Sequence, residues 1–331
     1  MEIAKALVLV GGGQDAPWPT APVDPKHLFP VANRPILFHN LESLRAAGIR
    51  EAAILAEPCF AGAIEQAVGD GSELGLNVAH LEWGTNRTLG GALVTGFEFV
   101  DDGPVVVQQG DALLRGKLNR HIDAFRRERL DTLAFRLDND TTPARVPRPL
   151  GPGYLLSPWA ISVLLANASE WTNPVAGVRD HGGRVRVQSV TGSLPCHGDQ
   201  QALLETNRQL LERIEPQFEP HSIEDTRVQG PVIVHPTARV RRSLLRGPVI
   251  IGANANISDA YIGPYTSIGP RVSVEAAEIE YSIILAGAEI RFIGTRLESS
   301  IIGRGARIVR AFEPPAGMRM TVGDGVEVTY I

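Results

Sequence analysis

The C-terminal part of the chain repeats an apolar position every 17 residues, and this period constrains the fold more than any other feature. Within a repeat, apolar residues follow at intervals of five or six, as from Leu245 to Ile251 and on to Ile257. This spacing predicts a left-handed parallel β-helix of hexapeptide repeats, a three-sided coil of very short strands. A β-sandwich is the alternative, but it requires alternation and hairpin turns, which this segment lacks. The expected columns are Val234, Ile251, Ile268, Leu285 and Ile302, and then Val240, Ile257, Val274, Arg291 and Ile308.

The preceding residues follow a different pattern, in which short apolar runs alternate with helix-like segments. This alternation predicts an α/β fold, Rossmann-like, with a mostly parallel sheet and helices on both faces. We therefore expect two domains, an α/β domain over residues 1–220 and the β-helix over residues 221–331. Strands are predicted at 6–10, 52–56, 78–81, 105–107, 133–137 and 154–156, and helices near 35–48 and 200–214.

Composition limits the class of protein and its partners. A formal net charge of −5 argues against a nucleic-acid partner, and no apolar stretch approaches the roughly 18 residues of a membrane span. Because no export signal is visible, we expect a cytoplasmic protein whose two cysteines, Cys59 and Cys196, remain thiols. Cys59 is most simply interpreted as a small buried residue. Lysine is rare, since only three of the 32 basic residues are lysines, and Lys26 is one of them.

A glycine-rich loop follows the first predicted strand, with the sequence GGGQDAPWPTAPVDPKHLFPVANRP over residues 11–35. This stretch resembles, without gaps, the signature of the sugar-1-phosphate nucleotidylyltransferases. The C-terminal coil is similar to that of long-form glucose-1-phosphate thymidylyltransferases in particular. The likeness covers nearly the whole chain, and it implies a nucleotide-binding domain followed by a β-helix. The matching residues are Gly11, Gly12, Pro19, Pro25, Lys26, Leu28, Pro30, Val31, Asn33 and Pro35.

The resemblance implies a phosphoryl-transfer reaction. A sugar or cyclitol 1-phosphate attacks the α-phosphorus of a nucleoside triphosphate, pyrophosphate leaves, and a nucleotide sugar (NDP-sugar) remains. Such chemistry requires positioning and cancellation of charge rather than a covalent intermediate. The implied partners are therefore the triphosphate and the sugar 1-phosphate or NDP-sugar, and the implied cofactor is Mg²⁺.

Individual residues take their expected roles from this resemblance. Gly11, Gly12 and Gly110 match positions where backbone approaches the nucleotide, although a tight turn also explains glycine there. Lys26 matches a catalytic lysine, whose ammonium meets a phosphate as a point charge. Asp111, in the sequence QQGDALL, matches a catalytic, metal-binding aspartate, because a hard cation prefers a carboxylate oxygen. The alternative for Asp111 is a helix N-cap.

Several side chains of the signature are replaced. Gln14, Asp15 and Ala16 stand where the family has glycine, threonine and arginine. An ionised Asp15 about 4 Å from a phosphate would oppose nucleotide binding by on the order of 4 kcal/mol. Trp83 replaces a base-reading glutamine, so it either stacks on a nucleotide base or packs in the core. Cys196 occupies the position of the second metal-binding aspartate.

The family's sugar-phosphate element is also absent, and the sequence ARVPRPLGPGY fills its place. Arg145, Arg148 and Tyr154 are the candidates there for contact with the sugar phosphate. A separate metal site at Cys196, His197 and Asp199 is a further hypothesis, but it lacks a fourth ligand at a recognisable spacing.

Three functions remain open at this point. The first is an active nucleotidyltransferase with rearranged contacts, which we favour because the glycines, Lys26 and Asp111 persist together. The second is a catalytically impaired homologue, a regulatory or structural subunit that binds a nucleotide sugar or a catalytic partner protein. The third, a β-helix acyltransferase, requires a catalytic histidine, for which the coil offers only His235. We also expect a homo-oligomer, because a short solenoid exposes flat strands and an open end.

Overall fold

A computed structural model describes residues 3–11, 25–114, 118–138, 151–166, 174–195, 200–218 and 222–310. The described residues form a seven-stranded sheet with packed helices, followed by three parallel sheets of short strands. This arrangement confirms the expected fold class. No helix in the described ranges is both long enough and apolar enough to cross a membrane.

Helices separate most of the strands of the first sheet along the chain. They are β1 (Lys5–Val10), β2 (Glu51–Ala56), β3 (Asn77–Glu82), β4 (Val105–Gln109), β5 (Thr132–Leu137), β6 (Gly153–Leu156) and β7 (Val185–Val190). Their order in the sheet is β7-β5-β6-β4-β1-β2-β3, and β6 runs antiparallel to its neighbours β4 and β5. Six of these strands lie where the sequence predicts them, whereas β7 was missed.

Helices cover both faces of this sheet, because the buried strands carry apolar residues on both faces. In β1, Val8 packs with one core cluster and Leu7 with the cluster on the opposite face. The helices are α1 (Ile36–Ala46), α2 (Pro58–Val68), α3 (Leu89–Thr95), α4 (Phe97–Val100), α5 (Leu118–Arg127), α6 (Pro158–Ala166), α7 (Pro174–Asp180) and α8 (Gln200–Leu211). Shorter elements are the 3₁₀ helices Lys26–Leu28 and Ser72–Leu74, the paired strands Pro30–Val31 and Arg34–Pro35, and the paired strands Leu113–Leu114 and Gly192–Ser193.

The second domain is a coil of three parallel sheets, in which each strand pairs with the strand one turn later. The first sheet contains Ile223–Glu224, Arg239–Arg241, Asn256–Ser258, Ser273–Glu275, Glu289–Arg291 and Arg307–Val309. The second contains Arg227–Gln229, Leu244–Arg246, Tyr261–Ile262, Glu278–Glu280 and Leu297–Glu298. The third contains Val232–Val234, Val249–Ile251, Thr266–Ile268, Ile283–Ile284 and Ile301–Ile302. This pairing is consistent with the expected left-handed β-helix.

The predicted register of the coil is wrong at one turn. Ile268 pairs with Ile284 and Val274 with Ile290, so the repeat there is 16 residues rather than 17. Arg291 consequently lies outside the apolar column, and its Nε atom is 3.0 Å from a carboxylate oxygen of Glu289. Leu285, also assigned to a column, instead joins a cluster of apolar residues shared with the first domain.

The two domains pack through an apolar cluster and a buried amide. The cluster contains Phe29, Val31, Ile36, Leu203, Leu204, Ile283 and Leu285. Beside it, the fully buried Asn207 of α8 accepts hydrogen bonds from the backbone N–H of Ala32 (2.8 Å) and the hydroxyl of Ser267 (2.6 Å). Its amide also donates to the carbonyl oxygen of Tyr265 at 3.0 Å. Helix α8 is thereby joined to both domains, and the division at residue 220 stays a prediction.

Replacing Asn207 with alanine should lower the free energy of unfolding by about 2–4 kcal/mol, because the buried Ser267 hydroxyl and two part-buried backbone groups lose their partner. The change is measured by urea denaturation. Asn256→Ala, at an exposed position of the coil, is the control and should change the free energy by less than about 0.5 kcal/mol. Equal losses in the two variants would contradict a structural role for the Asn207 amide.

Candidate functional site

The candidate site lies at the carboxyl edge of the first sheet, where four parallel strands end side by side. Gly11 follows β1, Glu57 follows β2, Trp83 follows β3, and Gly110 and Asp111 follow β4. Ligands of open α/β sheets bind outside this edge, because the loops that leave the strands converge there.

Amide side chains hold the turn that carries Asp111. The amide of Asn40, on α1, donates to the carbonyl oxygens of Gln109 (2.9 Å) and Ala112 (3.0 Å), and the amide of Gln108 donates to Ala112 at 2.9 Å. Asp111 itself is fully buried. It is not a helix N-cap, because α5, the next described helix, begins only at Leu118. These bonds therefore hold Asp111 on a fixed backbone turn.

Lys26 is brought close to this turn by its neighbour in sequence. Lys26 is half-buried and begins a short 3₁₀ helix, and the next residue, His27, is buried. The His27 ring packs against Gly110, since a Cβ atom on Gly110 would lie only 3.2 Å from His27 Cδ2. Gly110 also donates its N–H to the carbonyl oxygen of Leu9 at 2.8 Å, which extends the pairing of β1 with β4. The structure thus places the segments of Lys26 and Asp111 against each other.

A charged pair that sequence reasoning missed lies beside Gly11. A Cβ atom on Gly11 would lie 2.6 Å from a carboxylate oxygen of Glu57, so this glycine leaves room for the acid. Arg87 Nη2 is 3.7 Å from Glu57 Oε2, and Arg87 Nη1 donates to the carbonyl oxygen of Trp83 at 3.0 Å. The available signal for Glu57 was its position directly after a buried strand that ends at this edge.

Trp83 is part of the protein core. Its side chain is only 3% exposed and packs in the apolar cluster that includes Leu55 and Leu89. The Arg87 guanidinium lies over its ring, 5.2 Å from the centroid. This burial favours the packing interpretation of Trp83 over stacking on a nucleotide base.

Tyr154 is buried in β6, and its hydroxyl accepts a hydrogen bond from the backbone N–H of Gly151 at 2.8 Å. Gln109 bonds the same turn, since its amide donates to the carbonyl oxygen of Gly151 at 3.2 Å. Burial raises the pKa of the Tyr154 hydroxyl above its ordinary value, and the bond to Gly151 acts in the opposite direction without cancelling this effect. These contacts favour a role for Tyr154 in positioning the turn rather than in direct contact with a sugar phosphate.

Other predicted residues fall elsewhere. Gly12, Arg145, Arg148 and Cys196, together with Gln14, Asp15, Ala16, His197 and Asp199, lie outside the described residues. The expectation that Cys59 is buried is wrong, because it is exposed in the first turn of α2. The His235 ring bonds within its own turn, with Nδ1 2.9 Å from the hydroxyl of Thr237. Nothing at His235 therefore adds support for an acyltransferase site.

The donor set at this edge fits Mg²⁺. Within the part of the chain that the structure describes, no three His, Cys, Asp or Glu side chains come together to form a metal cage. Mg²⁺ ordinarily needs only one or two carboxylates, since phosphate oxygens of the substrate and water complete its coordination. The single buried carboxylate of Asp111 at the end of β4 meets that requirement.

Comparisons with known proteins identify the family of the chain. The family model described as Nucleotidyl transferase matches residues 5–145. Glucose-1-phosphate thymidylyltransferases from Streptomyces antibioticus and Streptomyces griseus are 31% and 32% identical to the chain, over 98% and 97% of its length and 99% and 98% of theirs. A low-salt glycan biosynthesis nucleotidyltransferase of Haloferax volcanii is 26% identical over 98% of this chain and 99% of its own.

A solved structure from Bacillus anthracis, described as a glucose-1-phosphate thymidylyltransferase in complex with a sucrose, shares the fold. The two structures superpose with a TM-score of 0.54 and are 18% identical in sequence. The match covers 65% of this chain and 97% of the Bacillus anthracis chain. The fold, the edge site and the full-length relatives together define a nucleotidyltransferase-like protein. The chain belongs to the sugar-1-phosphate nucleotidyltransferase family.

Replacing Gly110 with alanine should lower the free energy of unfolding by about 1–3 kcal/mol, because the new methyl group overpacks this turn. Its Cβ would lie 3.0 Å from a Val10 methyl and 3.2 Å from both His27 and Leu37. Gly103→Ala is the control, since its Cβ would meet nothing closer than 3.9 Å. Identical urea midpoints for the two variants would contradict the close packing of the Lys26 and Asp111 segments.

Tyr154→Phe should change how stability depends on pH. Because burial raises the pKa of Tyr154 in the folded state, the unfolded chain loses this proton first as the pH rises. The contribution of Tyr154 is therefore complete below about pH 10 and is lost at higher pH. Thermal melts between pH 8 and pH 11 should show a steeper loss of stability for the wild type than for Tyr154→Phe. Parallel curves would contradict the burial of a neutral hydroxyl here.

Proposed function

We propose that this protein is an active sugar-1-phosphate nucleotidyltransferase, which joins a nucleoside triphosphate and a sugar or cyclitol 1-phosphate to give an NDP-sugar and pyrophosphate. One observation carries the proposal: the Lys26 helix packs on the Gly110 turn, and this turn presents the buried carboxylate of Asp111 at the carboxyl edge of the sheet. Relatives named for this chemistry, similar over nearly the full length of the chain, support it.

The protein contributes positioning and charge to this reaction. Lys26 places an ammonium on the phosphates, where negative charge must be cancelled for one phosphate to approach another. When bound, Mg²⁺ supplies further cancellation of that charge, and Asp111 would hold it. Gly11, Gly12 and Gly110 let the backbone approach the nucleotide.

The sugar-phosphate end is assigned to the segment before β6. Arg145 and Arg148 are the cationic groups proposed for the sugar phosphate, in place of the family's missing lysine element. Tyr154 contributes by fixing Gly151, the backbone that leads from that segment into β6.

A catalytically impaired subunit is the second candidate. It is favoured by Trp83, whose buried indole leaves no counterpart of the base-reading amide at that position. Cys196, which replaces the second metal-binding aspartate of the family, also favours the impaired subunit. Such a subunit would bind a nucleotide sugar and act with a catalytic partner protein. For either function we propose a homo-oligomer formed through the β-helix.

A substrate panel separates the two functions. The full-length protein is incubated with Mg²⁺, each nucleoside triphosphate in turn and a set of sugar and cyclitol 1-phosphates, and pyrophosphate release is followed. Release with one or more pairs is expected for the active enzyme. If every pair is silent while calorimetry detects nucleotide binding, the impaired subunit is the correct description.

Lys26→Ala and Asp111→Asn should each lower kcat/KM for pyrophosphate release by about 10²- to 10³-fold, because each removes one preorganised charge from the transition state. Asp123→Asn is the matched control for the loss of a carboxylate, since Asp123 is exposed on α5. It should retain wild-type kcat/KM. Wild-type rates in a folded Asp111→Asn variant would contradict the assignment of the metal ligand.

A further inference from the structure

We propose that Asn40 is a positioning residue, which sets the affinity of the Asp111 carboxylate for Mg²⁺ by clamping the turn on which Asp111 stands. The proposal rests on the proposed function, because it takes Asp111 as the metal ligand. It also accounts for a polar side chain on the buried face of α1.

Asn40 interrupts the apolar face of α1. It lies three residues after Leu37 and four before Leu44, and all three side chains are fully buried. These intervals place them on one face of the helix, where apolar residues are expected. Asparagine is also a weaker helix former than leucine. The local pattern therefore favours an apolar residue at this position, and the reason for asparagine lies in its contacts.

The Asn40 amide bridges the two ends of the turn that carries Asp111. The N–H of Ala112 donates to the carbonyl oxygen of Gln109 at 2.9 Å and closes this turn. The amide of Asn40 donates to both end carbonyl oxygens, that of Gln109 at 2.9 Å and that of Ala112 at 3.0 Å. Because a carbonyl oxygen only accepts, these contacts fix which atom of the Asn40 amide faces the turn.

The backbone of the turn does not need Asn40 for its pairing. The Gln109 carbonyl oxygen also accepts from the Ala112 N–H, and the Ala112 carbonyl oxygen also accepts from the Gln108 amide at 2.9 Å. Without Asn40, each of these carbonyl oxygens therefore keeps a donor. What Asn40 adds is a rigid connection between the turn and α1.

This connection has a cost in stability. The Oδ1 atom of Asn40 is buried and has no hydrogen-bond partner among the described residues, and the same holds for Oε1 of Gln108. A buried acceptor without a donor costs free energy, which offsets the bonds that the amide makes. Such an exception to a well-packed apolar face is expected where function requires it.

The functional requirement is the position of Asp111. Mg²⁺ demands near-ideal octahedral geometry, so a carboxylate that is already in place loses less conformational freedom on binding than one on a loose turn. Loss of a group that orients a metal ligand typically lowers metal affinity or activity by about 10- to 100-fold. Asn40 acts on the metal through Asp111 and does not touch it.

The test measures how much Mg²⁺ strengthens nucleotide binding to the full-length protein. ATP, GTP, CTP, UTP and dTTP are titrated by calorimetry, and the one that binds most tightly is compared in Mg²⁺ and in EDTA. Asn40→Leu keeps the number of side-chain heavy atoms but removes both donors. It should reduce the gain in affinity from Mg²⁺ by about 10-fold. Its urea midpoint should not fall, because the unpaired oxygen is removed as well.

Thr132→Val is the matched control for the loss of a buried polar group. The Thr132 side chain is 1% exposed, and its hydroxyl has no hydrogen-bond partner within the described ranges. It is the first residue of β5, at the end of the strand away from the carboxyl edge. The variant should keep the wild-type gain in affinity from Mg²⁺.

A double variant shows whether Asn40 acts through Asp111. Asp111→Asn removes the charge that holds the metal, so it should abolish most of the gain from Mg²⁺. Adding Asn40→Leu to it should cause no further loss, because the two residues act on one interaction. Losses that multiply in the double variant would overturn a role through Asp111.

Hydrogen exchange tests the clamp without metal or nucleotide. Mass spectrometry follows a peptide that contains residues 105–114. Its amides should exchange about 10-fold faster in Asn40→Leu than in the wild type, because the turn opens more readily. Asn40→Ala should show the same increase, and it replaces Asn40→Leu in every measurement if the leucine variant does not fold. Unchanged exchange in the folded variant would overturn the clamp.

The outcomes separate this proposal from the proposed function. If Asp111→Asn loses the gain from Mg²⁺ while Asn40→Leu retains it, or if Thr132→Val loses as much, the role of Asn40 is overturned and the function stands. If Asn40→Leu loses the gain but the wild type releases no pyrophosphate with any substrate pair, the role of Asn40 is upheld and the active enzyme is overturned. No nucleotide binding at all would overturn both.

Discussion

The buried amide of Asn207 connects the parts of the molecule on which the candidate site depends. It accepts from the turn at Ala32, which follows the Lys26 helix closely, and it bonds Ser267 and Tyr265 of the coil. Because a buried amide needs hydrogen-bond partners, these bonds fix the position of α8 relative to the turn at Ala32 and to the β-helix. The β-helix therefore also supports the segment that carries Lys26.

A second amide, that of Asn40, has a comparable role on the other side of the site. It holds the turn around Asp111 through two backbone carbonyl oxygens, so a buried carboxylate stands on a fixed backbone. Two glycines allow close packing around the site. Gly110 leaves room for the His27 ring, and Gly11 leaves room for the Glu57 carboxylate. Electrostatic character then varies along the edge, with Lys26 and Asp111 in one region and the pair of Glu57 with Arg87 in another.

Local sequence patterns were sufficient to predict a strand wherever the strand is buried on both faces. The strands at the centre of the first sheet were predicted because their residues are apolar on both faces. β7 was missed because it lies at the sheet margin and alternates with polar residues, and its Val187 is 47% exposed. In the coil, Leu285 was placed in an internal column because a sequence shows that a residue is apolar but not against which surface it packs.

The sequence by itself determined the two-domain α/β and β-helix architecture and the family, together with the candidates Lys26 and Asp111. The architecture follows from periodicity, and the family and the two candidates follow from two short motifs, residues 11–35 and QQGDALL. All of these are local along the chain. Only the tertiary structure decided that Trp83 is core and that Glu57 and Arg87 lie beside Gly11. Strand order determines which distant residues meet at the edge, and that order depends on packing between segments rather than on any one segment's pattern.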